Sequence, residues 1–244
     1  MPALLGDAEG TTSDGGNHTG FDALASHYEL EVDRSVSFTG RSSRFFAQRK
    51  VALLRSLVRR HLRGRDCLKL LDVGCGTGMT AGLLVPHFAT VCGVDVSREM
   101  LAEARKVAPG AAFCDYNGTA LPYGPGEFDV TIAICVLHHV ALEEQCSLVK
   151  EMLRVTSAGG LVAIFEHNPF NPLTRLAVRR CAVDHGVTLV PGRRAARLLE
   201  AAGAGTVSRA NFLFSPLGGW LGASLDRVLA PIPLGGQYVV FALR

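Results

Sequence analysis

One short stretch constrains the fold more than any other part of the chain. It reads LKLLDVGCGTGM over residues 68–79, an apolar run that leads into an acid and then Gly74, Gly76 and Gly78. A strand buried on both faces of a parallel sheet is almost continuously apolar, as this run is. Glycines let the chain turn tightly and bring bare amides against a ligand that a Cβ would exclude. The stretch predicts a strand followed by a loop that binds a nucleotide cofactor.

The glycine spacing separates two cofactor classes. A dinucleotide-binding loop has the pattern G-x-G-x-x-G/A, whose last small residue packs the helix against the strand. Met79 stands at that position here, which disfavours the dinucleotide interpretation. Asp95 ends a second apolar run and can accept hydrogen bonds from both ribose hydroxyls, but an acid at that distance also suits NAD.

Two motifs carry a resemblance to a known family. The D-x-G-x-G-x-G arrangement that begins at Asp72 resembles motif I of the class I S-adenosylmethionine-dependent methyltransferases. The segment NGTALPY over residues 117–123, with Phe128 and Asp129 after it, resembles the D-G-x-x-L-P-F…F-D segment of the group related to ubiquinone and menaquinone biosynthesis, the type 11 methyltransferases. The resemblance implies an α/β, Rossmann-like, seven-stranded, mostly parallel sheet with helices on both faces and an N-terminal helical lid.

The resemblance also implies S-adenosylmethionine as the cofactor and a set of residues around it. Asp72 and the glycine loop would hold the methionine part, Asp95 the ribose, and either Asn117 or Asp115 the adenine, since both offer an acceptor. Tyr28 resembles the family's tyrosine that lies over the cofactor, although it could equally be packing surface. The expected cofactor-binding positions are Tyr28, Asp72, Gly74, Cys75, Gly76, Gly78, Asp95, Val96, Asp115, Asn117, Gly118 and Cys135.

Two adjacent histidines follow the fourth predicted strand. Histidine takes a proton near neutral pH, and an acceptor must lose a proton before or after it attacks a methyl group. If the alternation of the strand persists, His138 and His139 point to opposite faces, and we favour His139 as the base. The alternative is that both are packing or turn residues and that catalysis rests on positioning alone.

Polar residues at the end of the fifth predicted strand are the candidates for substrate binding. They are Glu166, His167, Asn168 and Arg175. An ordinary ion pair between Glu166 and Arg175 is an equally good interpretation. The histidines and Cys135 lack the pair spacing of a zinc site, so we predict no metal.

The sequence predicts a single folded domain. We expect a disordered tail over residues 1–20 and one methyltransferase domain over 21–244, made of a lid (21–66), a cofactor-binding core (67–168) and an acceptor-side part (169–244). Predicted elements include a helix over 77–87, a strand over 128–137, a helix over 142–155 that stops at Gly159, a strand over 161–166 and an irregular segment after it.

The amino-acid composition limits the kinds of partner that we expect. Of the 244 residues 48% are hydrophobic and 7% aromatic, and the net charge is +3, which favours a small-molecule acceptor over nucleic acid. The seven cysteines lie singly, with no C-x-x-C pair, which predicts a reduced, cytoplasmic protein. We expect no stable membrane insertion, and a monomer or homodimer.

These patterns predict methyl transfer to an O, N or C nucleophile of a small, rather hydrophobic metabolite, as in specialised metabolism. The apolar stretch over residues 212–234 is expected to form one wall of the acceptor pocket. The alternatives are a regulatory or assembly module that binds the cofactor without methyl transfer and, less favoured, an NAD-dependent oxidoreductase.

Overall fold

The computed structural model describes residue 22 and residues 25–244. The tail predicted over residues 1–20 lies outside the described residues. The division into lid, core and acceptor-side part stays a prediction.

Seven strands of the described residues form one mixed sheet in the order β3-β2-β1-β4-β5-β7-β6. Neighbours from β3 through β5 run parallel, and β7 is antiparallel to both β5 and β6. This confirms the predicted Rossmann-like sheet. The strands are β1 (Lys69–Val73), β2 (Thr90–Asp95), β3 (Ala112–Asp115), β4 (Phe128–Ile134), β5 (Thr156–His167), β6 (Ser208–Phe212) and β7 (Gln237–Leu243).

Helices cover both faces of the sheet, because each face presents apolar side chains that must be buried. Leu148 and Leu199 come from helices packed on one face, whereas Leu54 and Leu84 come from helices packed on the other. The helices are α1 (Tyr28–Val36), α2 (Ser43–His61), α3 (Met79–Leu84), α4 (Arg98–Val107), α5 (Gln145–Val155), α6 (Pro172–Arg180), α7 (Gly192–Ala201) and α8 (Gly219–Leu229).

Some boundaries of helices and strands predicted from the sequence were wrong, because the side-chain pattern and the secondary structure do not change at the same residue. The predicted strand over 128–137 ends at Ile134, and the helix predicted from residue 77 begins at Met79. Strand β5 starts at Thr156, so Gly159 lies inside the strand rather than at a helix end. A Cβ on Gly160 would lie 2.8 Å from the carbonyl oxygen of Asp129, which shows that β5 needs glycine for close approach.

The helices α6 and α8 were not predicted, because the sequence of α6 was interpreted as an irregular segment and that of α8 only as an apolar stretch. In α6 the first residue is Pro172, and Asn171 caps the helix by accepting a hydrogen bond from the amide of Thr174. An Asn-Pro pair is common at the start of a helix as well as in loops, and we had predicted a loop. The apolar stretch over 212–234 contains α8.

A buried ion pair attaches the C-terminal apolar stretch to the N-terminal helices. Arg49 of α2 pairs with Asp226 of α8 and also donates a hydrogen bond to the carbonyl oxygen of Leu217, at 3.2 Å. Because both charged groups are largely buried, removal of either one would leave an uncompensated charge. The pair therefore holds residues 213–217 close to α2.

Gly78 is where the glycine loop meets α4, and the fold depends on its lack of a side chain. Its φ is +76°, and an added Cβ would lie 2.9 Å from the Cα of Ala104. We predict that Gly78→Ala lowers the free energy of unfolding by about 2 to 4 kcal/mol, from overpacking plus the left-handed φ. Gly64→Ala is the matched control, since Gly64 has the same φ of +76° and no described residue has an atom within 4 Å of its Cβ position.

Urea denaturation of both variants measures the difference. Gly64→Ala should cost about 1 kcal/mol, which is the effect of the backbone conformation alone. Equal losses in the two variants would show that Gly78 does not pack tightly against α4.

Candidate active site

A large cavity of about 550 Å³ lies at the carboxyl ends of β1, β4 and β5. Ligands bind at this edge in open α/β sheets, where the loops that follow the strands converge. Residues of α1, α2 and α6 enclose it, together with the segment 213–216. Sequence-predicted positions that line it are Tyr28, Asp72, Gly74, Cys75, Gly76, Cys135, His139 and His167.

The glycine loop is fixed by backbone hydrogen bonds to the end of β2. The amides of Gly74 and Cys75 both donate to the carbonyl oxygen of Val94, at 2.8 and 3.0 Å. A Cβ on Gly74 would lie 2.5 Å from Val136, so this glycine is required for packing. Gly76, at φ +52°, lines the cavity and has no atom of the described part of the chain within 4 Å of its Cβ position. Its surface is therefore open to a ligand.

Asp72 is the acidic group at this end of the cavity. It is buried, and its Oδ1 atom has no hydrogen-bond partner among the described residues. Burial and the charge of Asp95 raise the pKa of Asp72 to about 7, while Lys50 acts in the opposite direction. A buried carboxylate without a partner suits a cationic group of a ligand.

Asp95 connects the glycine loop with the next helix. Its carboxylate accepts hydrogen bonds from the amides of Gly76, at 2.8 Å, and Ser97, at 3.0 Å. Burial raises its pKa, and these amide bonds act in the opposite direction. The hydroxyl of Ser97 donates to Asp22, at 2.5 Å, so the N-terminal part contacts this corner.

The residues predicted to hold adenine lie beyond Asp95 and do not line the cavity. Asp115 pairs with Asp95 in the β2–β3 register, is exposed, and forms an ion pair with Arg98 at 2.9 Å. The Asn117 side-chain oxygen accepts from the amides of Thr119 and Ala120, which is a turn-forming role. A Cβ on Gly118 would lie 3.6 Å from Val96, so these two positions adjoin.

The two histidines occupy a short 3₁₀ helix, Leu137–His139, instead of an extended strand. The argument from strand alternation was therefore wrong, because β4 ends at Ile134 and Cys135 follows with a φ of +58°. His138 is buried, and His139 lines the cavity. The two rings lie 4.2 Å apart between centroids.

Glu166 holds His138 in place from β5. The Nδ1 atom of His138 and the Oε2 atom of Glu166 lie 2.5 Å apart, and Oε1 accepts from the amide of Leu137 at 2.7 Å. Burial lowers the pKa of His138, but Glu166 and Asp184 outweigh it and raise that pKa well above its usual value. Burial raises the pKa of Glu166, and His138 more than reverses this, so its pKa is lowered.

Asp184 lies where three imidazoles converge. Its Oδ1 atom is 3.5 Å from Nε2 of His138 and 3.4 Å from Nε2 of His139, and its Oδ2 atom is 3.9 Å from Nε2 of His167. Burial raises the pKa of Asp184, but the histidines outweigh it and place the pKa far below its usual range. Sequence reasoning missed this residue, since nothing in its local sequence marks it.

Cys135 faces the same end of the cavity. Burial raises the pKa of its thiol, but His167 and Lys50 outweigh burial and lower that pKa to about 7. The ammonium nitrogen of Lys50 lies 3.6 Å from Sγ. Lys50 was also missed, because in the sequence it is one of many basic residues on an amphipathic helix.

Of the four predicted substrate-binding residues, only His167 lines the cavity. Glu166 is fully buried against His138, so the alternative ion pair with Arg175 is wrong; Arg175 is exposed on α6. Asn168 is buried and donates to the carbonyl oxygens of Pro233 and Gly235. The structure gives Glu166 and Asn168 supporting contacts in place of a surface that a substrate reaches.

Comparison with known proteins agrees with this geometry. Residues 71–164 match the family described as a methyltransferase domain. An uncharacterized methyltransferase of Synechocystis is 34% identical over 42% of this chain and 49% of its own length. A demethylmenaquinone methyltransferase of Beutenbergia cavernae is 34% identical over 47% of this chain and 48% of its own. The chain thus spans about half the length of these curated relatives.

A solved structure matches over almost the whole chain. An S-adenosylmethionine-dependent methyltransferase of Thermotoga maritima, described as a possible histamine N-methyltransferase, superposes with a TM-score of 0.66. The alignment covers 92% of this chain and 98% of that one at 16% identity, which is a likeness of fold alone.

The fold and the site define a class I methyltransferase architecture. Residues 71–164 match the type 11 methyltransferase domain family, and the cofactor of that family is S-adenosylmethionine. The residues present fit this cofactor, since one buried carboxylate oxygen of Asp72 has no partner among the described residues and Gly76 leaves an open cradle. No helix within the described residues has both the length and the apolar character needed to span a bilayer.

Gly76 is the position that tests the cofactor assignment most directly. We predict that Gly76→Ala lowers the affinity for S-adenosylmethionine by at least about tenfold, because a methyl group would enter the cradle without meeting an atom of any described residue. Isothermal calorimetry measures the affinity, and Gly64→Ala is the control for the cost of positive φ. Unchanged binding in Gly76→Ala would remove this loop from the cofactor site.

Proposed function

We propose that this protein transfers a methyl group from S-adenosylmethionine to an O, N or C nucleophile of a small, hydrophobic metabolite. One observation carries the proposal: the same cavity joins Asp72 and the glycine loop to His139, His167 and Asp184. A methyl donor held at the first group would present its reactive end toward the second. The family match over residues 71–164 supports the same activity.

The lining of the cavity indicates the class of acceptor. Apolar side chains from four parts of the chain surround it: Phe38, Phe46, Leu173, Val178, Phe214 and Pro216. An apolar lining with a few polar groups at one end favours a hydrophobic ligand that carries one reactive polar atom. The part of the apolar stretch that reaches the cavity is 213–216, whereas Trp220 of α8 is 75% exposed.

Held by Asp72 and the glycine loop, S-adenosylmethionine would supply an electrophilic methyl group, and its sulfur would keep the electron pair of the bond that breaks as the acceptor takes the methyl group. The protein has to align the acceptor, exclude water and take up the proton that the acceptor loses. His139 fits the last task because it lines the cavity. Burial and the neighbouring His138 lower the pKa of His139 despite Asp184, which keeps its imidazole neutral and able to accept a proton.

A screen of acceptors with methyl-labelled cofactor tests the activity. Phenols, hydroxyquinones and hydrophobic amines should include compounds that acquire the label, as detected by mass spectrometry. Tight cofactor binding with no transfer to any class would favour the alternative of a regulatory or assembly module. Binding of NAD in place of S-adenosylmethionine would favour an oxidoreductase.

We predict that His139→Ala lowers turnover by about 10² to 10⁴-fold while cofactor affinity changes little, as loss of a general base should. The measurement is steady-state kinetics with an acceptor from the screen, together with cofactor calorimetry. His138→Ala is the comparison, and it should chiefly lower stability because its ring is buried against Glu166. Normal turnover in both variants would mean that positioning alone drives transfer.

The raised pKa of Asp72 predicts a pH-dependent affinity for the cofactor. Asp95 and Cys75 are the other acidic groups near Asp72, and Lys50 is the nearby cation. With a pKa of about 7, the carboxyl is largely protonated below that pH and must ionise to pair with the ligand's ammonium group. Affinity should therefore fall up to tenfold per pH unit below about pH 7 and level off above it.

Calorimetry with S-adenosylhomocysteine between about pH 5.5 and 8.5, in buffers of different ionisation enthalpy, measures this linkage. Below pH 7 the wild type should release a proton on binding. Asp72→Asn should bind more weakly and lose the slope. A pH-independent affinity in the wild type would show that Asp72 is not the group that meets the ammonium.

A further inference from the structure

Against the sequence-based prediction of no metal, which did not take Asp184 into account, we propose that His138, His167 and Asp184 form a binding site for a divalent transition-metal ion of the zinc type at the inner end of the cavity. Among the described residues these three offer ligand atoms that all lie within 4.8 Å of one another. They come from three places in the chain: the 3₁₀ helix after β4, the end of β5, and the segment after α6. The site itself stands on this geometry, and only its suggested role rests on the proposed function.

The distances around Asp184 suit ligands around a metal better than hydrogen bonds. The separations from its oxygens to Nε2 are 3.5 Å for His138 and 3.9 Å for His167. Both exceed the usual 2.7 to 3.2 Å of an N–H···O bond. Ligands held tetrahedrally at 2.0 to 2.2 Å from one ion lie about 3.4 Å apart, so modest side-chain closure completes the site.

Both histidines have their other ring nitrogen engaged, as metal-binding histidines do. His138 Nδ1 pairs with the carboxylate of Glu166, at 2.5 Å, which directs its Nε2 atom toward Asp184. His167 Nδ1 lies 3.2 Å from the side-chain amide nitrogen of Gln237, whose amide oxygen is buried without a partner among the described residues. With this amide turned over, its oxygen accepts a hydrogen bond from Nδ1–H, as a histidine bound to a metal through Nε2 requires. These contacts hold the rings with both Nε2 atoms near the carboxylate of Asp184.

A separate observation points to a missing partner at this site. His138 is only 5% exposed, yet its Nε2 atom makes no hydrogen bond to any described residue. Buried polar atoms are seldom left without a partner, and a bound ion satisfies such an atom as a hydrogen bond would. An ion would replace the proton that Nε2 otherwise carries.

The donor set selects the type of ion. Two imidazoles and one carboxylate suit zinc and its first-row neighbours, whereas magnesium prefers oxygen ligands and water. Three protein ligands leave a further position, and both His167 and Asp184 line the cavity. An ion there would polarise a hydroxyl of the acceptor and lower its pKa, with His139 placed to receive the proton.

Metal binding is measured on the whole purified protein, independently of methyl transfer. After chelator treatment and dialysis against Zn²⁺, elemental analysis should find about one ion per chain. Co²⁺ should give the visible absorption of a four- or five-coordinate site, and Mg²⁺ should not compete. Asp184→Asn and His167→Gln should each lose this binding, while the exposed neighbour variant His185→Gln should keep it.

Glu166→Gln tests the supporting contact and should weaken Zn²⁺ affinity by about 10 to 100-fold. Circular dichroism and cofactor calorimetry establish that each variant is folded. Absence of Zn²⁺ and Co²⁺ binding in the wild type, or equal binding in wild type and both ligand variants, would overturn the site. A wild type that transfers methyl groups without any metal binding would overturn this inference and leave the proposed function standing.

Discussion

The site depends on how the ends of β1 and β2 are joined. One carbonyl oxygen, that of Val94, accepts the amides of Gly74 and Cys75, and one carboxylate, that of Asp95, accepts the amide of Gly76. Three successive amides are thereby fixed to the neighbouring strand. A loop with a Cβ at Gly74 could not adopt this path, because Val136 already occupies the space. The glycines therefore serve the fold first, and an open cradle is what remains at Gly76.

A second set of hydrogen bonds fixes the turn that follows β4 to the end of β5. Glu166 accepts the amide of Leu137 and pairs with His138, so one buried carboxylate fixes both the start of the 3₁₀ helix and an imidazole ring. Unpaired, such a buried charge would cost several kcal/mol. Because Glu166 pairs with His138, charged groups are stable next to a cavity whose lining is mainly apolar. The position of His139 is a consequence, since it follows His138 in the same short turn.

Patterns local in sequence were sufficient for the sheet and for the cofactor end of the site. Buried parallel strands are continuous apolar runs, and the glycine loop follows directly from its spacing, so β1, β2 and Asp72 could be placed without a structure. The helix α6 and the exact end of β4 could not, because Asn171-Pro172 and the residues after Ile134 are compatible with more than one local conformation. Tertiary packing makes that choice.

At the end of the cavity assigned to the proposed acceptor, His139 and His167 were predicted, but their partners were not, because these come from distant segments without a motif. Asp184 reaches three histidines only after the chain has passed through α6, and Lys50 reaches Cys135 from a helix before β1. Nothing in the local sequence around a single buried acid or a lysine on a helix indicates that it will make these contacts. Only the fold brings them together.

The family likeness covers the cofactor end of the site and, at the other end, the two adjacent histidines. The family match covers residues 71–164, which include Asp72, the glycine loop and the two adjacent histidines. Glu166, His167 and Asp184 lie beyond it, as do Phe214 and the other residues of the apolar wall. A cofactor of fixed structure demands the same contacts in every relative, whereas each acceptor demands its own. The features that select the proposed acceptor should therefore be sought in the helices before β1 and in the segments after β5, where the cavity is enclosed by residues that the family match does not reach.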